Sequence, residues 1–120
     1  YIMDIRNKDY QKYLLKQIKK YSRFDGFFFD TLDSYYLTKV NKSEYKKALI
    51  PFFKKIKKLY PKKIIIFNRG FELIDSVKPT AIVAENLFKL NGKKISKQDR
   101  NWLINNLNRA KKEGIKAIVI

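Results

Sequence analysis

Three observations predict an α/β fold of parallel strands joined by crossover helices. Short unbroken apolar runs recur along the 120 residues: Phe27-Phe28-Phe29, Ile64-Ile65-Ile66-Phe67 and Ala81-Ile82-Val83-Ala84. Between them lie stretches whose apolar residues return every third or fourth position. Each run also stops on a carboxylate or an amide. Strands buried on both faces read as continuous apolar runs, and their alternation with helical patterns is the signature of a parallel sheet covered on both faces.

Each element has its own local justification. Tyr1-Ile2-Met3-Asp4 reads as the end of a first strand, and Asn7 as the N-cap of a helix in which Tyr10, Tyr13, Leu14, Ile18 and Tyr21 recur. Arg23 to Gly26 turns into the Phe27–Phe29 strand, which Gly26 and the polar Asp30-Thr31 cut to strand length. A polar loop from Asp33 to Ser43 follows, within which Asn41 and Glu44 have capping-box spacing. The second helix carries Tyr45, Leu49, Phe52, Phe53, Ile56 and Leu59 on one stripe. Pro51 predicts a kink or a break inside it, and Pro61 a stop beyond it.

Ile64 to Asn68 is a strand rich in β-branched residues. Gly70 opens a short helical turn, Phe71 to Val77, and Ala81 to Glu85 is the next strand. After a loop around Asn91-Gly92, Ser96 and Asp99 start a helix with Trp102, Leu103, Leu107 and Ala110, which closes at Gly114. Lys116 to Ile120 begins a last strand. About five strands and four helices result. A doubly wound sheet and a (β/α)8 barrel both fit, and the lack of a G-x-G-x-x-G or Walker A loop counts against nucleotide binding.

Composition narrows the chemistry. The chain has neither cysteine nor histidine, so disulfides, thiolate or imidazole metal sites and Ser-His-Asp or Cys-His catalysis are excluded within it. Carboxylate, tyrosine, lysine and amide chemistry remain, and no cofactor is expected. The net charge is +17, which raises nucleic-acid binding as a possibility. The excess is mostly lysine on helix faces, however, and not the arginine used for bidentate phosphate and base contacts, so no nucleic-acid partner is expected. No apolar stretch approaches the ~20 residues of a membrane span. The start on Tyr1 and the end on Ile118-Val119-Ile120 suggest a segment of a longer protein, and the oligomeric state is open.

Four successive strands end on Asp4, Asp30, Asn68 and Glu85. Parallel strands place their C-terminal ends on one side, where α/β folds keep their active sites. Asp30 and Glu85 stand on strands separated by the Asn68 strand, so their backbones are expected about 10 Å apart. Inward-pointing side chains would then converge towards the roughly 5–9 Å that glycosidases use between two carboxyl groups. One carboxyl must be ionised and the other protonated, a division that burial can arrange.

Four stretches now stand in a recognisable order: Tyr1-Ile2-Met3-Asp4-Ile5-Arg6-Asn7, Gly26-Phe27-Phe28-Phe29-Asp30-Thr31-Leu32-Asp33-Ser34-Tyr35, Asn68-Arg69-Gly70-Phe71-Glu72-Leu73 and Val83-Ala84-Glu85-Asn86-Leu87-Phe88. Together they make the chain similar, over essentially its whole length, to the endo-α-1,4-polygalactosaminidase-like family, glycoside hydrolase family 114, and the TIM-barrel proteins grouped with it. The resemblance implies a TIM-like barrel whose site lies at the strand C-termini. On it Asp30 corresponds to the nucleophile or stabilising carboxylate and Glu85 to the general acid/base, while Asp4, Asp33 and Asn68 match pocket positions that bind sugar hydroxyl or amino groups. Tyr35 and Tyr36 are candidates for stacking on a sugar ring or for packing the loop.

The resemblance further implies an α-linked galactosamine-containing polysaccharide as substrate and an extracytoplasmic location. A barrel of this type needs ~250 residues, so residues 1–120 are expected to be the central part of one, left incomplete. A cationic galactosaminan demands an acidic mouth despite the +17 chain, and Asp4, Asp30, Asp33, Glu72 and Glu85 all fall at or just after strand ends; a basic mouth would favour a neutral or acidic glycan. The competing readings are a non-catalytic relative of the same fold and, less favoured, a nucleic-acid binder with a contiguous basic stripe.

Overall fold

The computed structural model describes residues 3–120. Its elements in chain order are α1 (Lys8–Lys20), β1 (Gly26–Phe29), α2 (Lys42–Leu59), β2 (Ile64–Asn68), α3 (Ile74–Val77), β3 (Ala81–Ala84), β4 (Lys89–Leu90), β5 (Lys93–Lys94), α4 (Lys97–Lys112) and β6 (Lys116–Val119), with 3-10 turns at Ser34–Leu37 and Phe71–Leu73. The helix starts are built as the sequence requires. Asn7 accepts from the N–H groups of Asp9 and Tyr10, Asn41 from Glu44, and Ser96 from Asp99. Of the predicted first strand, Tyr1 and Ile2 lie outside the described residues, and Met3 and Asp4 have irregular backbone.

The sheet order is β1-β2-β3-β6, every pair parallel. Strands are added in chain order without reversal, so there is no switch point of the doubly wound kind. The helices also lie on one face. Phe29, Ile65, Phe67, Ile82 and Ala84 point into a core with Leu49, Phe53 and Ile56 of α2, Ile74 and Val77 of α3, and Leu103, Leu107 and Ala110 of α4. Within it Phe29 meets Phe53 edge-on at 4.9 Å between ring centres.

The other face carries Phe28, Ile64 and Ile118, which remain 54%, 46% and 39% exposed. Coverage on both faces, as the apolar runs predicted, is therefore corrected to coverage on one. In a (β/α)8 barrel the second face turns to the axis and is filled by side chains from other strands; both arrangements demand the same apolar runs. The chain is a set of consecutive β/α units of such a barrel, incomplete in itself.

Two further expectations change. Of the kink or break expected at Pro51, the break does not occur: α2 runs on to Leu59. The bond Pro51 forgoes is to the Lys47 carbonyl, and both residues are exposed, so water can serve that carbonyl. The loop around Asn91-Gly92 is a hairpin, with Lys89 opposite Lys94 and Leu90 opposite Lys93. Its Asn-Gly pair, at φ 51° and 76°, supplies the two left-handed residues of a tight hairpin turn.

Lysines are spread along α1, α2 and α4, most of them exposed. Several serve the fold: Lys57 Nζ donates to the carbonyls of Val77 and Lys78 at the end of α3, and Lys63 Nζ to that of Phe24. Among the described residues no helix is long and apolar enough to cross a membrane.

Candidate active site

Register fixes the relative heights of the strand-end residues. Phe29 pairs with Phe67 and Asn68 with Val83, so Asp30 stands level with Asn68, and Glu85 lies two residues further along its strand, roughly 6–7 Å higher. Alternation places all three on the face of Phe28, Ile66 and Val83, away from the helices. They share the C-terminal rim of the sheet.

Asp30 and Asn68 are joined directly. Asp30 Oδ1 accepts from Asn68 Nδ2 at 2.9 Å and from the Thr31 backbone N–H at 2.7 Å. Both donors address the same oxygen, and among the described residues Oδ2 has no partner. Asn68 is the one buried polar residue of the described chain, and its Oδ1 is without a hydrogen-bond partner. Glu85 is half-buried; its carbonyl accepts from Arg69 Nη2 at 3.3 Å, while no hydrogen bond or ion pair within the described residues engages its carboxylate.

The loops after β1 and β2 are interlocked above this rim. Beyond the Asp30–Asn68 bond, Gly70 packs so closely on Leu32 that an added Cβ would lie 2.9 Å from Leu32 Cδ1. One step further out, the Tyr35 hydroxyl donates to Glu72 Oε1 at 2.9 Å. Residues 30, 32 and 35 of one loop thus meet 68, 70 and 72 of the other.

Of the two alternatives for Tyr35, the geometry is that of loop packing. The residue is 1% exposed, and its ring lies between those of Tyr36 and Tyr45, at 4.6 and 4.7 Å. Both ring faces are occupied, so no sugar can stack on it. Burial, reinforced by hydrogen bonds with Tyr36 and Glu72, pushes its hydroxyl far above the ordinary tyrosine range. Tyr36 is the exposed member of the pair, at 55%, with the Lys42 ammonium 5.6 Å from its ring centre. Glu72 was recognisable in the sequence only as part of the acidic count; nothing in its position announced Tyr35 as its partner.

Asp4 is taken up by Arg6, which donates to it through the backbone N–H, Nε and Nη2 and reaches Glu44 through Nη1. These hydrogen bonds hold the Asp4 carboxyl below its usual range against the opposing effect of partial burial. No hydrogen bond joins it to Asp30, Asn68 or Glu85, and its observed role is to fold the loop before α1. Asp33 stands half-buried before the Ser34–Leu37 turn, with no side-chain capping bond.

Asp30, Asp33, Glu72 and Glu85 all stand at or just after strand ends, and Lys42 Nζ is engaged by the carbonyls of Tyr35 and Thr38. The hairpin lysines Lys89, Lys93 and Lys94 are exposed. A cleft of about 690 Å³ runs from Asp30 and Thr31 along β1 and under α1, past Tyr10, Leu14, Phe28 and Leu49. Neither Asn68 nor Glu85 lines it. Its walls are mostly apolar.

The model of Glycosyl hydrolase family 66 matches residues 1–110. The fold is similar to that of the glycoside hydrolase domain of PelA from Pseudomonas aeruginosa, with a TM-score of 0.89 and 24% identity. A glutamate-to-alanine variant of that domain matches with a TM-score of 0.89 and 23% identity. In each case the likeness covers 98% of this chain and 51% of the other, so the chain spans about half the length of the solved structures it matches. At this identity the likeness concerns the fold. No curated protein matches. The matching model is that of family 66, whereas the motifs resemble family 114; what the two share is glycoside hydrolysis.

Proposed function

The chain belongs to glycosyl hydrolase family 66, and we propose that Asp30 and Glu85 are the carboxylate pair with which it cleaves a glycosidic bond. The observation that carries this reading is the asymmetry between the two groups. Two N–H donors hold Asp30 Oδ1 and leave Oδ2 open, the disposition of an ionised carboxylate that attacks or stabilises a sugar cation. Glu85 is half-buried and its carboxylate has no protein partner among the described residues, which suits a group that delivers a proton to the leaving oxygen. Asn68, Asp33 and the exposed face of Tyr36 would orient the sugar.

We further infer an α-linked, galactosamine-containing polysaccharide as substrate, acted on outside the cytoplasm. The four-motif resemblance supports it, and the carboxylates at or just after the strand ends could attract ammonium groups that the net charge of +17 would otherwise repel. The test is hydrolysis of α-1,4-linked galactosamine oligomers by the full-length protein beside its Asp30→Asn and Glu85→Gln variants. Turnover is expected to fall by about 10³-fold or more in each, as for a lost nucleophile or acid. Undiminished turnover in both would remove the mechanism, and binding without turnover in the wild type would identify a non-catalytic relative.

A further inference from the structure

Thr31, Arg69 and Asn86 have left-handed backbone, with φ of 59°, 56° and 61°. Each directly follows one of the strand-end residues Asp30, Asn68 and Glu85. Two other non-glycine residues of the described chain share this conformation for ordinary reasons: Lys78 terminates α3, and Asn91 makes the hairpin turn with Gly92. No helix end or hairpin turn calls for it at the other three. Asparagine tolerates the left-handed region, which accounts for Asn86 alone; arginine has no such preference, and the β-branched Thr31 is a true outlier. Such conformations persist only where the surroundings over-determine them, and they gather at functional sites.

The hydrogen bonds show what the conformation accomplishes. The Thr31 N–H turns back onto Asp30 Oδ1 at 2.7 Å. The N–H groups of Arg69 and Asn86 instead donate to the carbonyls of Val83 and Ile120, at 2.8 and 3.1 Å, and carry the sheet one residue past Asn68 and Glu85. The chain then leaves the sheet at once. Asn68 and Glu85 are thereby held by rigid ladder on the strand side and released from it on the loop side. Arg69 adds a cross-link through its guanidinium to the Glu85 carbonyl.

We propose that Thr31, Arg69 and Asn86 are positioning residues whose left-handed backbone sets the aim of Asp30, Asn68 and Glu85. The proposal rests on the glycosidase reading above. It is tested in the full-length protein with Asn86→Val, which disfavours positive φ, Asn86→Gly, which readmits it, and Thr31→Gly. Asn86→Val is expected to lower kcat by about tenfold or more, the scale of a small misplacement of a reacting group, with KM within about twofold of wild type. Asn86→Gly rescues most of that loss. Thr31→Gly is expected to raise Tm by about 2–4 °C, because strain is relieved at that position.

Wild-type kcat in Asn86→Val, loss in Asn86→Gly equal to that in Asn86→Val, or a lower Tm for Thr31→Gly would each overturn the proposal. If Asn86→Val does not fold, Asn86→Ala takes its place, being disfavoured at positive φ without the β-branch. An inactive wild type, or an Asp30→Asn variant as active as wild type, overturns the glycosidase reading itself and is recognised without any variant at position 86.

Discussion

The buried Oδ1 of Asn68 lacks a donor, although Nδ2 of the same amide is engaged with Asp30. Turning the amide over would set its lone pairs against the carboxylate, so Asp30 dictates the orientation. A buried acceptor left unpaired costs about 1–3 kcal/mol, a penalty that a sugar hydroxyl or ammonium would remove. Asn68→Ala is therefore expected to change stability by no more than about 1 kcal/mol while lowering turnover by about 10²-fold through a misaimed Asp30; paired thermal melts and kinetics check this. Asp4 gives a pH prediction. Its folded-state carboxyl is depressed by Arg6, so its contribution is present above the unfolded value of about 3.9 and is lost as pH falls through the lower folded value. Thermal melts of wild type and Arg6→Ala should differ at pH 6 and converge only once pH has fallen below the depressed Asp4 value. At this scale the strand-end polar residues were legible because each closes an apolar run. Glu72 as the partner of Tyr35 was not, since it lies 37 residues away along a loop path that no local pattern encodes.

At the scale of elements, the three long helices announced themselves through Asn7, Asn41 and Ser96, each of which accepts the expected backbone N–H. β1 and β3 end at Phe29 and Ala84, one residue before Asp30 and Glu85. The unbroken course of α2 was not legible, because whether a proline breaks a helix depends on what can serve the abandoned carbonyl, here on an exposed face. Pro51→Ala should accordingly stabilise the protein, by about 1–3 kcal/mol on helix propensity, as read from denaturant midpoints. Gly26 is the opposite case. A Cβ there would lie 2.3 Å from the Ile64 carbonyl oxygen, inside the β1–β2 pairing, and backbone cannot yield as a side-chain tip does. Gly26→Ala is expected to cost about 2–3 kcal/mol, as overpacking does, with a lowered denaturant midpoint as the readout.

For the molecule as a whole, the α/β class and the parallel sheet followed from apolar runs, but the choice between a flat doubly wound sheet and a barrel did not. Both bury their strands on two faces, and only strand order and the placement of every helix on one face separate them. Phe28, Ile64 and Ile118 leave exposed apolar surface on the face away from the helices, and the outer edges of β1 and β6 have no strand partner among the described residues. Such surface promotes association. A polypeptide limited to residues 1–120 is expected to bind hydrophobic dyes and to sediment as oligomers. A Phe28→Ser, Ile118→Ser double variant should shift it towards monomer in analytical ultracentrifugation.

The paired loops that follow β1 and β2 act as a single part. Asp30 with Asn68, Leu32 with Gly70 and Tyr35 with Glu72 mesh like the teeth of a zip. Anyone transplanting this corner of the fold into another barrel must therefore move both loops as one cassette, because either half alone would arrive with its teeth unmatched.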